Sequence, residues 1–527
     1  MRLRPLFLAA GLLAAGLSLA QTKPDFGNYA AITAKRLRAH LEFIASDLLE
    51  GRDTPSRGLD IASEYIAAQM KLSGVEPGGD KGTYFQSFPV KQVRISGSKS
   101  AMEISGTKFA PFDDFIPGFG TAQASGNVVY VGHGYRIPSK GIDPYKDIDV
   151  KGKLVLKLDM VPKEWSWTEY FGGKLPGAES AEQAALLKGA VGLLTVKTVA
   201  DYEKWGEIAK RSRDQVFPMF GNETLPGGLA TGSLSPQAAK LLLEGEAATF
   251  DQLQSLSKEG NAGNSFALTA AKTVKLNIAT QEETVKTRNV VAIVRGSDPK
   301  LKSEYVAIGS HYDHVGMAGG EQPDRIYNGA DDDGSGTVAM IEMAHALASG
   351  PKPKRSVIFV WHAAEEKGLW GSDFFTKNPT VAITSIVAQL NIDMIGRSKK
   401  AGDTNPRNKA LSGPHAIYVI GSRRLSAEMG NICASVNNQL FKLNYDFLYD
   451  RPNDPENFYE RSDHFNYARY KIPIAFFFSG VHEDYHQLSD EVVKIDFVKM
   501  EKVSRTVCAT AWMLANRPQR PKLDKKD

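Results

Sequence analysis

"YVAIGSHYD", residues 305–313, runs without a charge from Tyr305 to Ser310 and then delivers His311 and Asp313. A short apolar run ended by polar groups reads as a buried strand whose carboxyl end carries ligand-type side chains. The same pattern returns three times. "SVIFVWHAAEE" (356–366) ends in Glu365 and Glu366, and "SIVAQLNIDM" (385–394) reaches Asp393. "IPIAFFFSG" (472–480) leads into a loop with His482, Glu483, Asp484 and His486. "RNVVAIVRG" (288–296) and "AIYVIGS" (416–422) add further apolar strands. Helical patterns alternate with them, including the stripe Val338, Ile341, Ala344 and Leu347 and a last helix expected over 491–514. Buried strands alternating with helices predict an α/β fold, a mixed and mostly parallel sheet sandwiched by helices.

In open α/β sheets ligands gather beyond the carboxyl ends of the strands. Surface charges capping strands account for an isolated Asp324, but poorly for polar clusters at equivalent ends. "NGADDDGSG" (328–336) adds three adjacent carboxylates just ahead of a helix. Such a triplet needs either water around it or a cation within it. Histidines and carboxylates without sulfur suit Zn²⁺ first, with Mn²⁺ or Co²⁺ possible. Two ions ~3.5–4 Å apart need one carboxylate touching both, and a water between them becomes a nucleophile near neutral pH. The triplet can supply that bridge.

Composition narrows the class. The 527 residues are 42% hydrophobic and 24% charged, as in a globular protein of two or three domains. "MRLRPLFLAAGLLAAGLSLA" reads as a secretory signal peptide ending at Ala20, too short to span a membrane comfortably. Without Arg2 and Arg4, Lys+Arg falls from 64 to 62 against 60 Asp+Glu. That balance points to neither nucleic acid nor an anionic membrane as partner. Cys433 and Cys508 each share an apolar helical face, which favours two core thiols over a disulfide. No Walker-type phosphate loop and no GxSxG elbow occurs.

Residues 57–73 carry a helical stripe of Leu59, Ala62, Ile66 and Met70. Near residue 111 the texture changes to short strands, "GNVVYVGHGY" (126–135) and "GKLVLKLDM" (152–160), and a helix-to-strand pattern over 181–196. Residues 222–263 look polar and loop-like.

In order and context, "GSHYDHVG", "NGADDDGSG", "AAEEKGLWGS", "NIDMIGR", "SDHFNYARYKIP" and "DYHQLSD" resemble the M28 family of co-catalytic zinc peptidases. The resemblance runs from about residue 35 to 515 and implies the zinc exopeptidase fold. It divides the chain into a signal peptide (1–20), a peptidase domain (21–110 and 276–527) and a β-rich protease-associated insertion (111–275). "GYRIPSKGIDPYKDIDVKGKLVL" (134–156) is the most recognisable piece of that insertion. Carried over by position, His311 and Asp393 hold one zinc, Glu366 and His486 the other, and Asp332 bridges them. Glu365 falls at the general base, and Asp313 where a carboxylate orients the His311 ring. Asp490 would do the same for His486, and Tyr459 falls where some members place a phenol near the oxyanion. The resemblance also implies a cis peptide between Asp332 and Asp333. Asp333 would then turn to the helix N-terminus, where negative charge is favoured, and Asp331 would lie behind the site or in water.

"HEDYH" (482–486) matches the one-helix zinc motif HExxH but lacks the helix: Gly480 precedes it and no apolar stripe runs through it. His314, His345 and His362 read as structural, and Arg397 as one half of a surface or structural ion pair rather than a partner for a substrate carboxylate. The implied function is an exported di-zinc exopeptidase, periplasmic or secreted, acting on short peptides, first of all as an aminopeptidase. A carboxypeptidase or dipeptidase of the same family, or a one-zinc glutaminyl cyclase, is the alternative. A receptor-like relative that had lost its ligands is excluded by the complete ligand set.

Overall fold

The computed structural model describes residues 25–161, 175–221, 223, 228–320, 322–451 and 453–524. The expected signal segment 1–20 lies outside them. The chain forms two compact units, Met1–Gln86 with Arg288–Asp527, and Ser87–Thr287.

In the first unit the sheet runs from Asn444–Asp446 through Ala416–Ile420, Ile474–Phe478, Ile386–Ile392, Tyr305–His311 and Ser356–His362 to Thr280–Val294. The four strands from Ile474–Phe478 to Ser356–His362 are mutually parallel, and Thr280–Val294 and Ala416–Ile420 pair antiparallel outside them. These strands are continuous apolar runs because both faces are covered. Ile358 and Val360 join a core with Phe375 and Tyr467 of the helices Trp370–Lys377 and His464–Ala468. Trp361 alternates to the opposite face, where its Nε1–H donates to the Thr337 carbonyl at 3.0 Å, in the helix Gly336–Ser349. The sheet is therefore sandwiched by helices, as the sequence pattern requires. Cys433 and Cys508 are free and buried in the helices Ala427–Gln439 and Phe497–Asn516.

The second unit is built on a sheet ordered Thr107–Phe109, Ala101–Ile104, Thr273–Ile278, Ala122–Tyr130, Leu154–Leu158, Gly192–Val196, Ala230–Leu234, Phe115–Pro117. The unit's bounds, Ser87–Thr287, are wider than the 111–275 that the resemblance implies for the insertion. Ala101–Ile104 pairs with Thr273–Ile278, which draws the residues before 111 into this unit. Nor is 222–263 all loop. Ser235 and Thr249 cap the helices Pro236–Leu243 and Phe250–Lys258, which bury Leu242, Leu243 and Leu253. The polar residues read as loop are the outer faces and caps of these two helices. The last helix starts at Phe497 rather than 491, because the Asp496 carboxylate accepts from the Lys499 N–H at 3.1 Å and so fixes its first turn.

Candidate metal centre

Four parallel strands end on one rim. His311 closes its strand, Glu365 and Glu366 follow His362, Asp393 follows Ile392, and His486 lies in the loop after Phe478. The aspartate triplet enters from the turn before the helix Gly336–Ser349. Gly329 makes that entry possible. Its φ is 56°, and a Cβ there would lie 2.4 Å from the Asp332 carbonyl oxygen and 2.6 Å from the His314 ring.

Asp332 stands at the centre. Its Oδ1 is 3.3 Å from His311 Nε2 and its Oδ2 is 3.2 Å from His486 Nε2. On one side His311, Glu365 and Asp393 converge, with His311 Nε2 3.6 Å from Asp393 Oδ1. On the other side Glu366 Oε2 lies 2.9 Å from His486 Nε2. All five ligand positions expected from the sequence thus meet around one point. The peptide between Asp332 and Asp333 is cis. Asp333 turns away and accepts from the backbone N–H groups of Gly336 and Met394 at 2.9 and 3.1 Å. Asp331 is buried rather than solvated: it accepts from the Gly396 N–H at 2.6 Å and its Oδ2 lies 3.2 Å from His482 Nε2.

Several neighbours differ from expectation. His311 Nδ1 is held by the main-chain carbonyl of Asp313 at 3.1 Å, while the carboxylate lies 3.7 Å away and accepts instead from the Glu365 N–H. Asp313 therefore steadies both the ring and the residue at the base position. Asp490 does not back His486. It accepts from the N–H groups of Asp331 and Asp332 at 3.0 and 3.1 Å and so fixes the backbone of the triplet. Tyr459 is a correction. It is buried in a core cluster with Ile420 and Ile474, with the Arg424 guanidinium 3.8 Å from its ring, and is not among the residues lining the cavity beside the ligands. Tyr485 is the phenol that lines that cavity, together with Phe458, Phe476, Phe478, Met394 and Val481. It stacks on His486 with ring centroids 4.0 Å apart.

His314, read as structural, belongs to the second cluster, with Nδ1 2.8 Å from Glu366 Oε1 and 3.7 Å from Asp332 Oδ2. Of "SDH", the member that touches the site is Ser462, whose hydroxyl donates to Asp393 Oδ2 at 2.7 Å. Asp463 instead faces His362 at 3.2 Å. Arg397 forms the structural pair expected of it, 2.7 Å from Asp484. No helix runs through "HEDYH". Arg52, which the sequence did not single out, is fully buried and donates to the carbonyls of Ile44, Tyr312, Asn328 and Gly329 at 2.6–3.0 Å.

The donor set suits a divalent cation. Four carboxylates, those of Asp332, Glu365, Glu366 and Asp393, crowd three imidazoles, of which His311 and His314 are buried and the His486 side chain is 36% exposed. Asp332 Oδ2 and His486 Nε2 are buried without a hydrogen-bond partner, as ligand atoms awaiting an ion would be. All donors are nitrogen or oxygen, the combination that zinc shares with other borderline metals. Burial raises the Glu365 carboxyl well above the usual range; Asp393 and Glu366 add to this and His311 opposes it.

The comparisons agree with this geometry. The family described as Peptidase family M28 matches residues 289–511. Leucine aminopeptidase 2 of Trichophyton rubrum is 26% identical over 281 residues, 48% of this chain and 51% of the relative. A probable leucine aminopeptidase of Arthroderma otae is 26% identical over 239 residues, 44% of this chain and 58% of that one. The chain thus spans about half the length of the curated relatives it matches. Among solved structures, BSAP, a zinc aminopeptidase from Bacillus subtilis, superposes with a TM-score of 0.51 at 17% identity, over 94% of this chain and 98% of that one. That likeness supports the fold. The family match covers every ligand-type residue of the two clusters, so residues 289–511 are similar to peptidase family M28 where the candidate site lies.

Proposed function

We propose that the chain is an exported di-zinc exopeptidase, an aminopeptidase that takes short peptides with an apolar first residue. The observation that carries the reading is the Asp332 carboxylate, one oxygen facing His311 and the other His486. His311 and Asp393 would hold one ion, Glu366 and His486 the other, and Asp332 would share its oxygens between them. When bound, such a pair supplies Lewis-acid polarisation of the scissile carbonyl and an acidified water. Glu365, 3.9 Å from His311 Nε2 beside these ligands, would serve as the general base and would return the proton to the leaving amine. A carboxyl raised by burial is suited to this task, since it must hold a proton between the two transfers. Asp313 keeps Glu365 in place through its backbone N–H. Tyr485 offers a phenol on the cavity wall. The apolar lining of Phe458, Phe476, Phe478 and Val481 suits an apolar side chain, in keeping with relatives named leucine aminopeptidases.

Export rests on the signal-type segment 1–20, in keeping with the absence, among the described residues, of any helix long and apolar enough to cross a membrane. The unit Ser87–Thr287 is proposed as a protease-associated insertion on the resemblance of 134–156.

The test is a metal count joined to a specificity assay. The mature chain, stripped by chelation and reloaded with zinc, is expected to bind two equivalents. It should release leucine from leucyl dipeptides and leave N-acetylated ones intact. Cleavage of only the acetylated peptides would replace the aminopeptidase with a carboxypeptidase. One equivalent with cyclisation of N-terminal glutamine would favour the acyltransferase reading.

A further inference from the structure

We infer that His314 is a metal ligand, so that the ion held by Glu366 and His486 has one more protein donor than its neighbour. The inference rests on the di-zinc reading above. His314 Nδ1 lies 2.8 Å from Glu366 Oε1 and 3.7 Å from Asp332 Oδ2, and the four donor atoms of His314, Asp332, Glu366 and His486 all lie within 4.8 Å of one another. Ligands around one tetrahedral zinc at ~2.0–2.1 Å are separated by roughly 3.4 Å. The pairs at 2.8, 2.9, 3.2 and 3.7 Å straddle that value.

The ring is built into this position. His314 is fully buried, its N–H donates to the Arg52 carbonyl at 3.1 Å, and the missing side chain of Gly329 leaves space for its imidazole. It also faces His486 edge-on, with ring centroids 5.6 Å apart, so two imidazoles converge on one ion. The other cluster has only His311. A second nitrogen makes the two positions unequal, and the His314 side should fill first.

The test is zinc titration of the stripped full chain against a chromophoric chelator, with X-ray absorption of the sample carrying one equivalent. The wild type is expected to bind two equivalents at least ~10-fold apart in affinity, with two imidazoles on the tighter zinc. His314→Ala should weaken the tighter class by ~10–100-fold, remove one imidazole and leave the weaker class unchanged. His314→Asn, whose amide can still donate to Glu366, should weaken it as well. One imidazole on the first zinc in the wild type would overturn the inference, whether or not the variants fold. So would wild-type affinity in His314→Asn, since a hydrogen bond to Glu366 would then suffice. A wild type that binds a single equivalent would instead remove the di-zinc reading itself.

Discussion

Glu365 and Glu366 are adjacent in the chain, yet their surroundings drive their carboxyls in opposite directions. Burial pushes both upward, and at Glu365 it prevails. At Glu366 the imidazoles of His314 and His486, 2.8 and 2.9 Å from its oxygens, overcome burial and hold it below the usual range. One side chain is set to take up a proton and its neighbour to remain an anion. Glu365→Gln should therefore keep both metals and lose ~10²–10⁴-fold in kcat. Glu366→Gln should lose affinity for one metal. Metal analysis beside single-turnover kinetics separates the two, and metal loss in Glu365→Gln with full activity in Glu366→Gln would exchange the roles.

Tyr485 and Tyr459 make a second pair of contrasts. The cavity is lined by Tyr485, whose phenol pKa is raised by burial and by the charges of Asp332, Glu366 and Glu365. It therefore stays protonated and able to donate at any working pH. Tyr485→Phe should lower kcat by ~10-fold or more with metal content unchanged, as for a lost donor in the cleft. Tyr459→Phe should leave kcat within about twofold, because its ring serves the core. Equal losses in both would remove the distinction.

The sheet and its ligand rim were legible because each signal is local. An apolar strand ending in His311, Glu366 or Asp393 carries both its burial and its chemistry within ten residues. What escaped depends on distance or on main-chain groups. His314 looks like a turn residue until Gly329, fifteen positions later, is seen to leave room for its ring. Tyr459 and Tyr485 each stand close to a ligand-bearing motif and pack in one core cluster, and only Tyr485 lines the cavity beside the ligands. Asp313 acts through a carbonyl and Asp490 through two amides, partners that every residue offers and no motif records. Pairing of Ala101–Ile104 with Thr273–Ile278 is a long-range choice of the same kind, which a change of texture near residue 111 does not record.

Arg52 is the clearest such case. Its buried guanidinium joins the carbonyls of Ile44, Tyr312, Asn328 and Gly329, and thereby the loops bearing Asp313, His314 and Asp332. Burial lowers its pKa to about 10, with nearby aspartates including Asp313 and Asp332 opposing the fall, so it stays charged at neutral pH. Arg52→Met would strand these carbonyls away from water and should cost about 3 kcal/mol or more. Denaturant unfolding of the stripped protein measures this without a contribution from bound metal. Weaker zinc binding should accompany it, because the loops it ties carry ligands. A loss below about 1 kcal/mol would show that the carbonyls find other partners.

His464 sets a pH dependence that can be measured apart from the metals. It is fully buried, stacked on Phe476 with ring centroids 4.5 Å apart. Burial lowers its pKa from 6.5 to about 3, with Asp463 opposing the shift. Between those values the unfolded chain holds a proton that the folded chain excludes, so stability falls as pH falls. The neutral ring's contribution is complete above pH 6.5 and is lost progressively toward pH 3. The limiting slope is ~1.4 kcal/mol per pH unit. His464→Phe keeps an aromatic ring against Phe476 and cannot titrate. Subtracting its unfolding free energy from that of the wild type cancels the other carboxylates and histidines. The difference should decline steadily between pH 6.5 and 4 and stay level from 7 to 8. Parallel curves over the acid range would mean that His464 takes up its proton in the folded state as readily as in the unfolded one.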